Sequence, residues 1–279
     1  MVKLWLLKGL KKGILTTKYP KNPPTMDEIP SHSIPPSPQE NSDWEKGSQI
    51  CPTKAISLDQ GGHEGTIDIG KCIYCQKCSQ AGFVFQPKAN SNGLNARIVP
   101  RDSIDSRTEG EVFTQYAREW RTFNKSLHIF MIDVGSCNAC NFEVLNLSNP
   151  YYDLNRLGIF FTNSPKHADV LLVVGALNTA MVDVLKRTYD SIPFPKITIA
   201  VGACPISGGI FRNSKGFASP IGDLIPLDVA IPGCPPTPVQ ILQGLLIAMG
   251  KLEPIDPSRY LMNTGSNGPS YLQEEKRGH

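Results

Sequence analysis

Short, continuous apolar runs recur in the second half of the chain, at residues 129–134, 170–174 and 197–201. They are rich in branched residues, which is typical of strands that are buried on both faces of a parallel sheet. The segments between and after these runs predict helices over residues 139–147, 179–189 and 239–249. This alternation of strands and helices predicts an α/β fold with helices on both sides of the sheet, whose ligands bind at the carboxyl ends of the strands.

The N-terminal part of the chain has a different pattern. Apolar residues recur at four-residue intervals from Val2 to Ile14 and lysines lie on the other side, which predicts a basic amphipathic helix. This helix packs either on its own protein or on a membrane surface or membrane subunit, and both interpretations stay open. Seven prolines between positions 20 and 38 then predict an extended connector.

Three further features divide the chain into domains. A hairpin is expected to turn at Gly61 and Gly62, and four aromatic residues at helical spacing, Phe113 to Phe123, predict a core-facing linker helix. The polar C-terminal segment predicts a mobile tail. The expected domains are a helix with its connector, a small domain, a linker helix, a large domain and a tail, over residues 1–40, 41–100, 101–126, 127–252 and 253–279.

Charge and composition exclude several classes of protein. The 279-residue chain has a net charge of +3 and no long block of lysine or arginine, so nothing in its charge indicates nucleic-acid binding. No apolar run approaches the ~20 residues that span a bilayer, and the apolar patch from Leu4 to Leu7 is too short for a secretory signal. We therefore expect a cytoplasmic location. Eight cysteines, mostly in close clusters, favour metal or cluster binding over disulfides.

One set of cysteines has the spacing of a bacterial ferredoxin. Cys72, Cys75 and Cys78 form a C-x2-C-x2-C run, and Cys51 precedes a proline upstream, which is the ligand pattern of one [4Fe-4S] cluster. A two-cluster ferredoxin would also have cysteines at positions 41, 44, 47 and 82, and none is present. These absences all remove the same second cluster and leave one complete set, with a structural zinc site as the alternative.

A second set of cysteines follows the predicted strands. Cys137 and Cys140 follow the first run, Cys204 follows the third, and Cys234 lies in a proline-rich loop before the last helix. Because the carboxyl ends of parallel strands share one edge of the sheet, these loops should bring four thiolates to one [4Fe-4S] cluster. Buried free cysteines are the alternative for any one of the four.

Residues 127–252 resemble the shared family of [NiFe]-hydrogenase small subunits and the cluster-bearing, quinone-proximal 20 kDa subunit of complex I. The resemblance rests on Cys-Asn-Ala-Cys at 137–140 followed by Glu143, Gly-Ala-Cys at 202–204 with Ser-Gly-Gly at 207–209, and Pro-Gly-Cys-Pro-Pro at 232–236. It implies a flavodoxin-like parallel sheet that holds the proximal [4Fe-4S] cluster. Complex I members have adjacent cysteines in the first motif, whereas the C-x2-C here is similar to that of membrane-bound group 4 hydrogenases and favours a hydrogenase.

Residues 1–90 resemble the ferredoxin-type subunit of formate hydrogenlyase and complex I, including the basic helix and residues 17–20. This implies a small ferredoxin-like α+β domain that retains one [4Fe-4S] cluster, fused to a subunit that is usually separate. Two residues depart from the family pattern: Ala139 replaces a usual glycine, and Val239 stands where an acidic residue often occurs. The first could crowd the approach of the catalytic subunit, and the second could alter a partner contact or proton route.

Together these resemblances imply an electron-transfer subunit of a membrane-associated [NiFe]-hydrogenase-type complex, attached peripherally to the cytoplasmic membrane through partner subunits. The two [4Fe-4S] clusters account for all eight cysteines, so the nickel-iron centre is expected in a partner large subunit. Further expected partners are membrane-arm subunits, reached through the N-terminal helix, and a soluble ferredoxin or another electron-input subunit. The alternatives are a nickel-free, complex I-like quinone or ferredoxin oxidoreductase and a zinc-stapled scaffold.

Glu143 lies one helical turn after Cys140 and is a candidate for a proton path at the subunit junction. The alternative is a charge partner at the start of the helix, because acidic residues favour helix N-termini.

Overall fold

The structure is a computed structural model that describes residues 11–13, 15–22, 35–58, 65–85, 97–98 and 120–252. Most of the predicted N-terminal helix lies outside the described residues, as do the middle of the connector, the turn at Gly61 and Gly62, and the tail. The same holds for the predicted linker helix, except for its last four residues, which form a 3-10 helix, Trp120–Phe123. Both aromatic residues at the ends of this short helix are buried in the large core.

The described residues of the small domain form one α-helix and one pair of strands. Helix α1 (Trp44–Ile50) is capped by Asp43, whose side chain accepts a hydrogen bond from the backbone N–H of Lys46 at 2.9 Å. Strands β1 (Ile56–Leu58) and β2 (Gly65–Ile67) pair in antiparallel fashion, as a hairpin requires. A 3-10 helix, Lys77–Ala81, completes the domain.

A small apolar core holds these elements together. The rings of Trp44 and Phe83 meet edge to face with centroids 5.2 Å apart, and Ile56 and Ile67 pack around them. The end of the proline-rich connector is also fixed, because Ser37 and Val84 exchange two backbone hydrogen bonds at 2.8 and 2.9 Å. The ferredoxin-like assignment of this domain stays a prediction.

The large domain is built on a six-stranded sheet. Its strands are β3 (Arg97–Ile98), β4 (Leu127–Asp133), β5 (Ile159–Phe161), β6 (Val170–Val174), β7 (Ile197–Val201) and β8 (Val229–Ile231). The order across the sheet is β3-β8-β7-β6-β4-β5, and only β3 runs antiparallel to its neighbour. The five parallel strands have the 2-1-3-4-5 order of flavodoxin-like folds. The predicted α/β fold with a parallel sheet is therefore confirmed.

Five α-helices accompany the sheet: α2 (Ala139–Asn146), α3 (Leu154–Leu157), α4 (Val182–Ser191), α5 (Ala203–Ser207) and α6 (Pro238–Ala248). Helices α2 and α6 belong to the core on one face of the sheet, and α4 packs into a second core on the other face. Every residue of α6 is buried, so this helix lies inside the domain. Among the residues that the structure describes, no helix is long and apolar enough to cross a bilayer.

The sequence-based boundaries differ from the observed ones in a few places. The first predicted strand begins two residues earlier, at Leu127, and the predicted helix over residues 179–189 is a 3-10 turn, Thr179–Met181, followed by α4. The N-terminal segment is attached to the large domain near α3, because the N–H of Thr17 donates to the carbonyl of Tyr151 at 2.7 Å. Arg156 in turn donates to the carbonyl of Thr17 at 3.3 Å.

Candidate metal centres

The second set of cysteines lies at the carboxyl edge of the sheet. Cys137 follows β4, Cys140 is in the first turn of α2, Cys204 is in α5 directly after β7, and Cys234 follows β8. Burial raises the pKa of the Cys140 thiol, and the charges of Cys204, Cys234 and Cys137 raise it further. The structure therefore brings the four thiols of this set, which we call the sheet-edge set, within electrostatic reach of one another.

Two glycines leave room beside the sulfur atoms of the sheet-edge set. Gly202 has a positive φ of 93°, and a Cβ atom added there would lie 2.7 Å from the Sγ atom of Cys140. A Cβ atom at Gly209 would lie 3.3 Å from the Sγ atom of Cys204. Glycine is thus required at residue 202 both by its backbone conformation and by the space beside a thiol.

Asp133 organises the loop that carries Cys137. One carboxylate oxygen accepts hydrogen bonds from the N–H groups of Gly135 and Ser136, at 2.9 and 2.8 Å. The other accepts from the hydroxyl of Ser136 at 2.8 Å and from the amide of Asn141 at 2.7 Å. Partial burial alone would raise the pKa of Asp133, but these hydrogen bonds outweigh it and lower the pKa below its usual value. The ionised carboxylate therefore joins the end of β4 to α2 across the cysteine loop.

The ferredoxin-type set lines one cavity in the small domain. All four of its cysteines, Cys51, Cys72, Cys75 and Cys78, border a space of about 340 Å³, open solvent included. The N–H of Ala55 donates to the Sγ atom of Cys51 at 3.2 Å, and the N–H of Tyr74 donates to that of Cys72 at 3.4 Å. Backbone N–H groups aimed at sulfur stabilise thiolates and tune the potential of a bound cluster.

Two thiols of the ferredoxin-type set, those of Cys72 and Cys78, are weaker acids than a free cysteine. Burial, followed by the neighbouring Cys78, Cys51 and Cys75, raises the pKa of Cys72 to about 12, against the opposing hydrogen bond from Tyr74. Burial and the neighbouring thiols likewise raise the pKa of Cys78 to about 11. Since metal ligation requires thiolates, binding at this site releases protons.

Both sets fit a [4Fe-4S] cluster in number and type of donor, because such a cluster takes one thiolate at each of its four iron atoms. In the small domain the four thiols border one cavity, and at the sheet edge Gly202 and Gly209 let the backbone approach the sulfur atoms closely. Within the described part of the chain, no three His, Cys, Asp or Glu side chains are grouped as they would be around a single metal ion. The assignment of the eight cysteines as cluster ligands stays a proposal.

The two sets of cysteines are close to each other. Burial raises the pKa of Cys234, and the charges of Cys137 and then of Cys75, from the ferredoxin-type set, raise it further. The domains are also joined by a hydrogen bond, because the hydroxyl of Ser207 lies 3.0 Å from the carbonyl of Gly70. An arrangement of this kind suits the passage of electrons between two centres.

Glu143 lies in the second turn of α2, half-buried, where its carboxylate accepts a hydrogen bond from Asn146 at 3.5 Å. Its charge contributes to the raised pKa of Cys140. The first turn of α2 contains no acidic residue, and Glu143 lies one turn further along the helix, so its interpretation as a charge partner at the helix start stays a prediction. A role in proton transfer stays a prediction.

The two departures from the family pattern occupy different environments. Ala139 is the first residue of α2 and is partly exposed, next to Cys140. Val239 is fully buried in the apolar core around α6. An acidic residue at position 239 would lack water there, whereas valine fits the surrounding apolar side chains.

Sequence reasoning missed Asp133 and the contact of Ser207 with the small domain. Asp133 could have been found, because an Asp at the end of an apolar run and before Gly-Ser is typical of a turn closed by its own carboxylate. The contact between Ser207 and Gly70 joins residues 137 positions apart and leaves no local signal in the sequence.

Comparison with known proteins finds relatives among subunits of oxidoreductase complexes. The profile of the family described as "NADH ubiquinone oxidoreductase, 20 Kd subunit" matches residues 137–248. The probable membrane-bound hydrogenase subunit mbhJ of Pyrococcus furiosus is 42% identical over 128 residues, which are 46% of this chain and 77% of that protein. Formate hydrogenlyase subunit 7 of Escherichia coli is 35% identical over 185 residues, which are 66% of this chain and 69% of that protein.

Among solved structures, a chain of the membrane-bound sulfane sulfur reductase, an archaeal respiratory membrane complex, matches with a TM-score of 0.40 and 28% identity. That match covers 56% of this chain and 96% of the other. A chain of an NAD+-reducing [NiFe]-hydrogenase matches with a TM-score of 0.38 and 22% identity, over 49% of this chain and 98% of the other.

Proposed function

Because the chain belongs to the family of the NADH ubiquinone oxidoreductase 20 Kd subunit, as a subunit of an oxidoreductase complex, we propose that it transfers electrons within a membrane-associated [NiFe]-hydrogenase-type complex. In this proposal the ferredoxin-type set and the sheet-edge set each hold one [4Fe-4S] cluster. Each cluster, when bound, supplies one-electron transfer. The observation that carries the proposal is the convergence of four thiols at the carboxyl edge of the sheet, with the backbone of Gly202 close beside Cys140.

Residues of this chain position the thiols of both sites. Asp133 fixes the loop of Cys137, and the backbone N–H groups of Ala55 and Tyr74 donate to sulfur in the small domain. The charge of Cys75 reaches Cys234, which supports an electron route from the small domain to the sheet edge. The chain uses all its cysteines at these two sites, so we assign the catalytic nickel-iron centre to a partner large subunit.

An exposed apolar surface beside the sheet-edge set supports the proposal that the large subunit binds there. Phe142 and Leu145, on the outer side of α2, are 64% and 57% exposed, and they lie next to Cys140 along the chain. Glu143 lies between them and is our candidate for a proton path at this junction. Attachment to the cytoplasmic membrane through partner subunits is part of the same proposal.

The experiment that tests this function uses the purified complex. A nickel centre in the large subunit together with hydrogen-dependent reduction of a one-electron dye is the expected result. In a complex with Cys204→Ser, dye reduction should fall by at least about tenfold, equivalent to ~1.4 kcal/mol in the barrier. Exchange of deuterium into hydrogen gas, which needs only the nickel-iron centre, should persist.

A Ser148→Ala complex provides the control, because Ser148 is an exposed residue after α2 and lies outside both cysteine sets. Unchanged dye reduction in the Cys204→Ser complex would contradict the electron-transfer role. A complex with no nickel that reduces a quinone or a ferredoxin would support the nickel-free alternative in place of a hydrogenase.

A further inference from the structure

Ser207 occupies a special position between the two domains. It is the last residue of α5, three residues after Cys204, and only 7% of its surface is exposed. Its hydroxyl lies 2.9 Å from the carbonyl of Ala203 in its own helix and 3.0 Å from the carbonyl of Gly70 in the small domain. The N–H of Gly209 donates to the same oxygen at 3.3 Å.

The contact on the small-domain side is a rigid turn that leads into the ferredoxin-type set. The N–H of Gly70 donates to the carboxylate of Asp68 at 2.9 Å, and the N–H of Cys72 donates to the carbonyl of Ile69 at 3.2 Å. Gly70 and Cys72 therefore belong to the same hydrogen-bonded turn. The hydroxyl of Ser207 thus connects a helix that carries one set of cysteines to a turn that carries the other.

A hydroxyl group has one hydrogen, so it donates fully to one carbonyl at a time. A hydrogen bond from the Ser207 hydroxyl to the carbonyl of Ala203 lies within α5 alone, as for many serines near helix ends. A hydrogen bond to the carbonyl of Gly70 instead joins the two domains, because this carbonyl belongs to the small domain and faces the buried hydroxyl oxygen of Ser207. A buried carbonyl that loses its donor is destabilised, so removal of the hydroxyl favours separation of the two surfaces.

We propose that Ser207 is a positioning residue that sets the separation of the two cysteine sets by holding the Gly70 turn against α5. This role rests on the proposed function, because it concerns electron transfer between the two proposed clusters. Electron transfer between two centres slows steeply as they move apart. Ser207 therefore controls the rate of transfer between the domains without binding a metal itself.

The test compares three variants of the intact complex. In Ser207→Ala the contact with Gly70 is lost, whereas Ser207→Thr retains the hydroxyl. Ser191→Ala is the matched control, because Ser191 also ends a helix and its hydroxyl donates to a carbonyl four residues earlier, that of Arg187, at 2.7 Å. Ser191 lies at the end of α4, in the part of the fold that carries no cysteine.

The readouts are iron content and the EPR spectrum of the reduced complex, in which two nearby paramagnetic clusters broaden each other's signals. We expect Ser207→Ala to keep its iron, lose this mutual broadening and transfer electrons between the clusters about tenfold more slowly, equivalent to ~1.4 kcal/mol in the barrier. Ser207→Thr should restore both properties, and Ser191→Ala should resemble the natural protein. A Ser207→Ala complex with full iron, unchanged broadening and an unchanged rate would overturn the inference.

If Ser207→Ala fails to bind iron at the sheet edge, a second variant tests the role of the Gly70 turn independently. Asp68→Ala removes the acceptor of the Gly70 N–H, and also an ion pair with Lys71, without changing α5. It should also reduce the broadening, whereas unchanged broadening would contradict the role of the Gly70 turn. If the natural complex itself contains no reducible clusters, the proposed function fails, and that result is distinct from either outcome.

Discussion

A Cβ atom added at Gly202 would lie 2.7 Å from the Sγ atom of Cys140, closer than any ordinary contact between a carbon and a sulfur atom, so the backbone of Gly202 lies directly beside this sulfur. Gly202 follows β7 and Cys140 follows β4, so this contact joins the ends of two strands that are separated in the sheet by β6. The backbone at residue 202 therefore forms one wall of the sheet-edge set.

Substitution Gly202→Ala should remove the cluster at the sheet edge. The added methyl group would displace the sulfur of Cys140, and alanine is also strained at a φ of 93°. We expect the iron content to fall from about eight to about four per chain, while the EPR signal of the ferredoxin-type set persists.

Gly216→Ala is the matched control for this substitution. Gly216 also has a positive φ, of 85°, but a Cβ atom there has nothing within 4 Å. It should therefore show the backbone strain without the loss of iron. Full iron in Gly202→Ala would mean that Cys140 does not bind a cluster in the observed position.

Asp133→Asn should loosen the loop that carries Cys137. The variant loses at least one of the hydrogen bonds from Ser136 and Asn141, because an amide nitrogen cannot accept from these donors. A charge-assisted hydrogen bond of this kind contributes about 1 kcal/mol or more, so a chelator should remove iron about fivefold faster at pH 7. Asp223→Asn is the control, because Asp223 is an exposed aspartate that lies outside both cysteine sets.

The pH dependence gives a second measurement on the same variant. The folded protein lowers the pKa of Asp133, so its contribution to stability is complete above the unfolded pKa of about 3.9 and is lost as the pH falls through the folded pKa. The unfolding free energies of Asp133→Asn and the natural protein should therefore differ at pH 7 and converge in acid. A constant difference at all pH values would contradict the role of the ionised carboxylate.

Phe83→Ala should unfold the small domain selectively. Phe83 is almost completely buried and packs edge to face against Trp44, and the loss of such a side chain costs about 3–5 kcal/mol. Iron should decrease to about four per chain, with the signal of the sheet-edge set retained. Phe194→Ala serves as the control, because Phe194 is 79% exposed. Retention of both signals in Phe83→Ala would show that this core does not support the ferredoxin-type set.

The strands whose bounds were predicted best are those with continuous burial. Strands β6 and β7 match the predicted ranges, and each of their residues is buried. Strand β5 was missed because it has three residues and only Ile159 is buried, which is too short for a recognisable period. Helix α5 was missed because its five residues include Pro205, and contacts at the edge of the sheet define it more than its own composition.

The composition of the candidate sites was predicted better than their geometry. The rule that strand ends share one edge was sufficient to group Cys137, Cys140, Cys204 and Cys234. The nearness of Cys75 to Cys234 could not be predicted, because it depends on how two domains dock and no local pattern records that contact.

Metal and sulfide analysis of the purified complex, followed by EPR after reduction, tests the central claim most directly. We predict about eight iron and eight acid-labile sulfide for each copy of this chain, with two distinct signals from reduced [4Fe-4S] clusters. Zinc in place of iron, with no acid-labile sulfide and no EPR signal from the chain, would contradict the account.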